Sequence, residues 1–202
     1  PVSLGSASQK LRVNSGGNAL EFFTEPTVTS DFVKIIAGTH SGTELNIDNV
    51  FTGTYDLYKV YLSDVVVGSD WLAMRARTGG ASGSTVTNSE YRYESKMFWR
   101  SSSTAGDTGE HGWADAYFRI GWTNSESVKP HTFEFTIPSP NSTSYKFSYY
   151  MNNLHFNNTY IGSSVGAGTI DLGEGTQYTG LNFYQNGGNS FSMKYKVYGI
   201  KS

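Results

Sequence analysis

Residues 181–197 read Leu181-Asn182-Phe183-Tyr184-Gln185-Asn186-Gly187-Gly188-Asn189-Ser190-Phe191-Ser192-Met193-Lys194-Tyr195-Lys196-Val197. Phe191, Met193, Tyr195 and Val197 fall on one side of an extended chain, and Ser192, Lys194 and Lys196 on the other. That period of two marks a strand with one buried face. Asn186-Gly187-Gly188-Asn189 has the residue types of a tight turn, so the spacing predicts a β-hairpin whose first arm is Leu181–Tyr184. The last strand continues almost to Ser202, which puts the C-terminus inside a sheet.

The same alternation recurs upstream. Tyr58, Val60 and Leu62 alternate with Lys59, Tyr61 and Ser63, and Leu72 and Met74 with Trp71, Ala73 and Arg75. Tyr91, Tyr93, Met97 and Trp99 oppose Arg92, Glu94 and Lys96. Phe133, Phe135 and Ile137 oppose Thr132, Glu134 and Thr136, and Tyr145-Lys146-Phe147-Ser148-Tyr149 repeats the pattern. No dozen residues show a helical period. The expected fold class is all-β, an antiparallel sandwich. Between strands, Arg77–Ser89, Arg100–Gly112 and Asn152–Gly168 are long, polar and rich in Gly, Ser and Asn. They read as loops of a length that usually carries function.

The composition agrees. Of 202 residues, 15% are aromatic and 16% charged, and 23 are glycine, which favours half-buried sheets joined by many turns. The chain is long enough for one sizeable core and a small appendage. No apolar run reaches the roughly 18 residues of a membrane helix, so no membrane insertion is expected. A net charge of −2 argues against nucleic acid, whose binding rests on neutralising phosphates. With no cysteine, disulfides, thiolate zinc sites and cysteine nucleophiles are excluded.

The N-terminal segment is different in kind. Leu4-Gly5-Ser6-Ala7-Ser8-Gln9-Lys10-Leu11-Arg12-Val13-Asn14-Ser15-Gly16-Gly17-Asn18-Ala19-Leu20-Glu21-Phe22-Phe23 reads as two extended arms around a glycine turn. A lone hairpin of this size is not stable in water. It needs burial from elsewhere, most simply from identical chains. The stretch resembles the L-G-x-x-x-Q-x-L-x-V-N-x-x-G-x-A-L-E-[FW] cassette of bacteriophage tail-fibre shafts, which precedes a receptor-binding tip. The body looks like the jelly-roll module of phage fibre proteins. Phe51, Tyr55, Tyr58, Val60 and Leu62 match its F-x-x-Y-x-x-Y-x-V-x-L-S-D-V segment. Leu72, Met74 and Arg75 match the following L-x-M-R strand, and Met193–Ile200 resemble its terminal strand. The chain departs from that pattern in a long insertion at 100–116.

The resemblance implies a division into a shaft segment, residues 1–38, and a jelly-roll head, residues 39–202, with a soft boundary near Ile36–Ser41. It implies a homotrimeric tail-fibre tip in the virion, with other phage tail proteins bound through its N-terminus. The head would bind a host surface glycan or outer-membrane receptor, and the loops at 78–90, 101–116 and 152–168 would form a variable rim. The rival readings are a purely structural virion protein (capsid decoration or fibre anchor), a glycan depolymerase, and a cellular carbohydrate-binding module or TNF-like lectin.

Sugars are held by flat aromatic faces and planar polar groups. Trp113, in His111-Gly112-Trp113-Ala114-Asp115, is the leading platform, with His111, Asp107, Glu110 and Asp115 as its polar neighbours. Asn157 and Tyr160 form a second candidate patch. Trp71, Trp99 and Trp122 read as core or intersubunit residues. Asp107, Glu110 and Asp115 would also be the carboxylates of a glycosidase, which needs two about 5 to 9.5 Å apart. No nucleophile motif accompanies them, and no catalytic residue is expected. His40, His111, His131 and His155 have no metal-ligand spacing and read as solvated. One imidazole from each of three subunits, His111 first, would suffice for a metal on a threefold axis, yet no metal or other cofactor is expected.

Overall fold

A computed structural model describes residues 9–24, 31–68, 70–121, 131–156, 160–172 and 175–201, with side chains given for all but 156 and 160. The chain forms two compact units, Pro1–Ser30 and Asp31–Ser202. The first contains the expected hairpin. Strand β1 (Gln9–Val13) pairs antiparallel with β2 (Leu20–Thr24), placing Leu11 opposite Phe22 and Val13 opposite Leu20. Gly17 takes a φ of 70° in the turn, which a side chain with a Cβ resists. The four apolar residues share one face and all stay exposed.

The second unit is all-β and antiparallel. Its strands are β3 (Phe32–Gly42), β4 (Glu44–Ile47), β5 (Leu57–Val67), β6 (Leu72–Thr78), β7 (Ser84–Thr85), β8 (Tyr91–Ser101), β9 (Ala105–Asp115), β10 (Phe118–Gly121), β11 (His131–Pro138), β12 (Ser148–Phe156), β13 (Tyr160–Ile170), β14 (Gly180–Gln185) and β15 (Phe191–Ile200). The large sheet has the order β3-β15-β5-β11-β12-β13-β8-β9. The small sheet has the order β10-β6-β14-β4, with β7 alongside β6. The only helical turn among the described residues is Gly80–Ser82, and none of their helices is long and apolar enough to cross a membrane.

Alternating side chains of both sheets meet in one core. Phe118 of β10 lies 4.7 Å from the Tyr91 ring of β8 and 4.7 Å from the Tyr149 ring of β12, both edge-on. Phe183 of β14 faces Phe135 of β11 at 6.4 Å. The arrangement is sandwich-like: Tyr58, Val60, Leu62, Phe133, Phe135 and Ile137 are almost fully buried, as their alternation predicts.

Three expectations are corrected. Leu181–Val197 is not a hairpin, because β14 pairs with β4 and β6 in the small sheet while β15 pairs with β3 and β5 in the large one. The Asn186–Asn189 turn carries the chain across the core. Period-two alternation tells which face is buried but not which strand lies alongside. The boundary expected after residue 38 falls inside β3, whose pairing with β15 begins at Phe32↔Ile200; the units divide at Ser30/Asp31 instead.

The third correction concerns the loops. Residues 105–115 are strand β9, and residues 152–156 and 160–170 belong to β12 and β13. Their glycines mimic turns in the sequence, but four of them give room to a ring. Trp99 is paired with Gly106, Tyr93 with Gly112, Tyr149 with Gly168 and His155 with Gly162, and in every pair the ring occupies the space a Cβ would take. Only the 78–90 segment is mainly loop. Buried Arg77 pins it by donating to Asp48 at 2.6 Å, to Thr85 Oγ1 at 2.6 Å and to the Gly83 carbonyl.

Candidate functional site

Strand β9 ends the large sheet, and its alternation divides the expected site between two faces. Gly106, Thr108, Glu110 and Gly112 lie opposite Trp99, Met97, Ser95 and Tyr93, on the core side. Asp107, His111 and Trp113 lie opposite Phe98, Glu94 and Arg92, on the outer side. Asp107 and Glu110 therefore point to opposite faces and cannot flank one glycosidic bond.

On the core side, Glu110 accepts from Arg119 Nη1 at 2.8 Å, and the Arg119 guanidinium stacks 4.1 Å from the Trp71 ring. Asp115 also reaches the core side. Ala114, at φ 73°, is an extra residue in the β8–β9 ladder: Trp113 pairs with Arg92, and Asp115 with Tyr91. Burial, and then the hydrogen bond to Asp115, push the Tyr93 phenol up. Glu110 and Asp115 thus serve the core.

On the outer side, Trp113 is the most exposed large hydrophobic side chain among the described residues of the body, at 75%. The Arg92 guanidinium lies 4.2 Å from its ring centre. Asp171 fixes Arg92 in turn, and also accepts from Lys146. Lys146 first, then Arg92, hold the Asp171 carboxyl below the usual carboxylate range. The tryptophan is therefore a braced platform, with one face on a pinned cation and the other turned to solvent.

The register extends the site across four strands. Ser148, Thr169, Arg92 and Trp113 form one row over β12, β13, β8 and β9; Tyr150, Ala167, Glu94 and His111 form the next. Tyr150 is 69% exposed. Because β13 offers only Ala167, Gly168 and Thr169 here, the surface sinks between Tyr150 and Trp113 into a groove of about 460 Å³. Glu94 and His111, both exposed and opposite each other, make no hydrogen bond or ion pair among the described residues.

Of the residues singled out in the sequence, Trp113 and His111 line this groove. Asp107 is on the same face but lower down, ion-paired with Lys96. Asn157 lies outside the described residues, as do Trp122 and the side chain of Tyr160. Among the described residues no cluster of three acidic or histidine side chains is placed to hold a metal. Two histidines expected to be solvated are buried: His131 and His155 stack 6.1 Å apart, and His155 Nδ1 meets Asn153 Oδ1 at 3.0 Å.

Sequence reasoning missed Tyr150, Arg92 and Glu94. A signal existed for Tyr150: in Tyr149-Tyr150-Met151 it is the aromatic out of phase with the buried Tyr149 and Met151, so it must face outward. Compared with known proteins, the chain matches no family model and no curated sequence.

Proposed function

We propose that this chain is a non-enzymatic attachment protein, the tip of a phage tail fibre, with a short N-terminal shaft segment and a jelly-roll head. It works as a homotrimer in the virion and binds a host-cell surface glycan or outer-membrane receptor; the N-terminal segment leads to other tail proteins. The observation that carries this reading is Trp113, held rigid by Arg92 yet open to solvent across a groove from Tyr150. An immobilised aromatic face costs little ordering entropy on binding and suits the apolar face of a sugar ring.

The N-terminal hairpin supports the oligomer. Leu11, Val13, Leu20 and Phe22 make an apolar face that two strands cannot cover. Sister copies around an axis would bury it, and three copies of one weak site would gain avidity.

The test is staining of a panel of bacterial strains by the labelled protein, with mass measured by light scattering. A particle near three times 22.2 kDa that stains particular strains, with staining lost in Trp113→Ala, is the expected result. Strain-independent absence of staining would leave the purely structural virion role, and oligosaccharide released from stained cells would make the protein a depolymerase.

A further inference from the structure

We infer that the groove between Trp113 and Tyr150 takes a linear, uncharged glycan lying across the strands and at least three sugar rings long. This deepens the attachment reading and rests on it.

Length comes first. Tyr150 stands on β12 and Trp113 on β9, with β13 and β8 between them. Three strand spacings separate their axes by about 14 Å. A single ring cannot touch both aromatic walls; a trisaccharide can. The floor runs in the same direction, since Ala167 and Glu94 lie in register between Tyr150 and His111. Along the strands the groove is short, because the rows beyond it fill with larger side chains: Val165 and Lys96, then Leu154 and Phe98. The open path is across the sheet.

Charge comes second. Arg92 is the cation nearest the Trp113 platform, and it is ion-paired to Asp171, a carboxylate it shares with Lys146. Glu94 projects from the floor with no cation paired to it among the described residues. An ionised carboxylate only accepts hydrogen bonds, and accepts several. It suits adjacent sugar hydroxyls and repels a uronate, a sialic acid or a phosphate. His111, opposite it, adds a ring nitrogen, and Ser148 offers a hydroxyl along the neighbouring row, where the Thr169 hydroxyl, donating to the Phe147 carbonyl, can still accept. The set recognises hydroxyls, not anions.

The experiment is binding of the full chain to an immobilised array of linear neutral and anionic glycans, one to six rings long. Wild type is compared with Trp113→Ala, Tyr150→Ala and Glu94→Lys. All three side chains are exposed, so melting curves matching wild type verify the fold. Retention of neutral glycans is expected to rise steeply between two and three rings. Each aromatic truncation should weaken it about tenfold, the equivalent of one good ring contact. Glu94→Lys should lower neutral binding and admit uronate-containing glycans.

Equal binding of one-ring and three-ring glycans, or a wild-type preference for anionic ones, overturns this inference; if Trp113→Ala still abolishes binding, the attachment reading stands. Loss on Trp113→Ala but none on Tyr150→Ala also overturns it, since the ligand would then not reach across. Wild type that retains no glycan while still staining cells overturns the inference and points to a protein receptor. Failure of both assays overturns both readings.

Discussion

At the residue scale, Ala114 decides what the outer face offers. Without the extra residue, period two would put Trp113 and Asp115 on the same side of β9, and the carboxylate would share the groove. With it, Asp115 turns to Tyr93 in the core and Trp113 meets Arg92 outside. The cost is a left-handed backbone on an alanine, roughly 1 kcal/mol. Ala114→Gly should therefore raise stability by about 0.5–1 kcal/mol in urea denaturation while leaving the Trp113 surroundings unchanged. A destabilised Ala114→Gly variant would mean that the alanine methyl has a packing role that outweighs its backbone strain.

At the element scale, β8, β9, β12 and β13 are packed by rings seated on glycines across the ladder. Gly168 is closed in by two buried rings. A Cβ there would sit 2.6 Å from the Tyr149 ring and 2.8 Å from the Phe118 ring, and both rings are buried among other aromatics. Gly168→Ala should cost roughly 1–3 kcal/mol, read as a lower denaturation midpoint with an unchanged slope. An alanine tolerated at no cost would show that the rings have room to retreat. The same device explains why β9, β13 and the end of β12 read as loops. Gly106, Gly112, Gly162 and Gly168 depress strand propensity and read as loop, because the ring that needs the space stands on the neighbouring strand and leaves no mark at the glycine. His131 and His155 were misread for a similar reason, since their burial comes from neighbouring strands.

At the scale of the whole molecule, that histidine pair makes the sandwich acid-sensitive. Burial, with the neighbouring His155 adding to it, pulls His131 down to about 4, and burial lowers His155 as well. His155 shares its small cavity with Glu110 and Arg119, which are already paired to each other. Below the ordinary histidine value of about 6.5, the unfolded chain binds protons that the folded one refuses. Stability is thus complete above pH 6.5 and falls as pH drops from 6.5 toward 4, by at most roughly 3 kcal/mol for His131. Denaturation midpoints measured from pH 7 to pH 4 should decline, and the decline should flatten in His131→Asn. An unchanged slope in that variant would place the acid sensitivity elsewhere.

Local chemistry in the sequence determined the all-β class, the phases of the strands at Tyr58–Leu62, Tyr91–Met97, Phe133–Ile137 and Phe191–Val197, the N-terminal hairpin and the exposure of Trp113. Each follows from residues adjacent along the chain, where alternation and turn geometry act directly. Only the tertiary structure decided the sheet to which each strand belongs. It turned the Leu181–Val197 pattern into a bridge between sheets, sent Asp107 and Glu110 to opposite faces, and set Tyr150 and Glu94 across from Trp113 and His111. Those are pairings between segments far apart in sequence, and buried faces record that a partner exists without naming it.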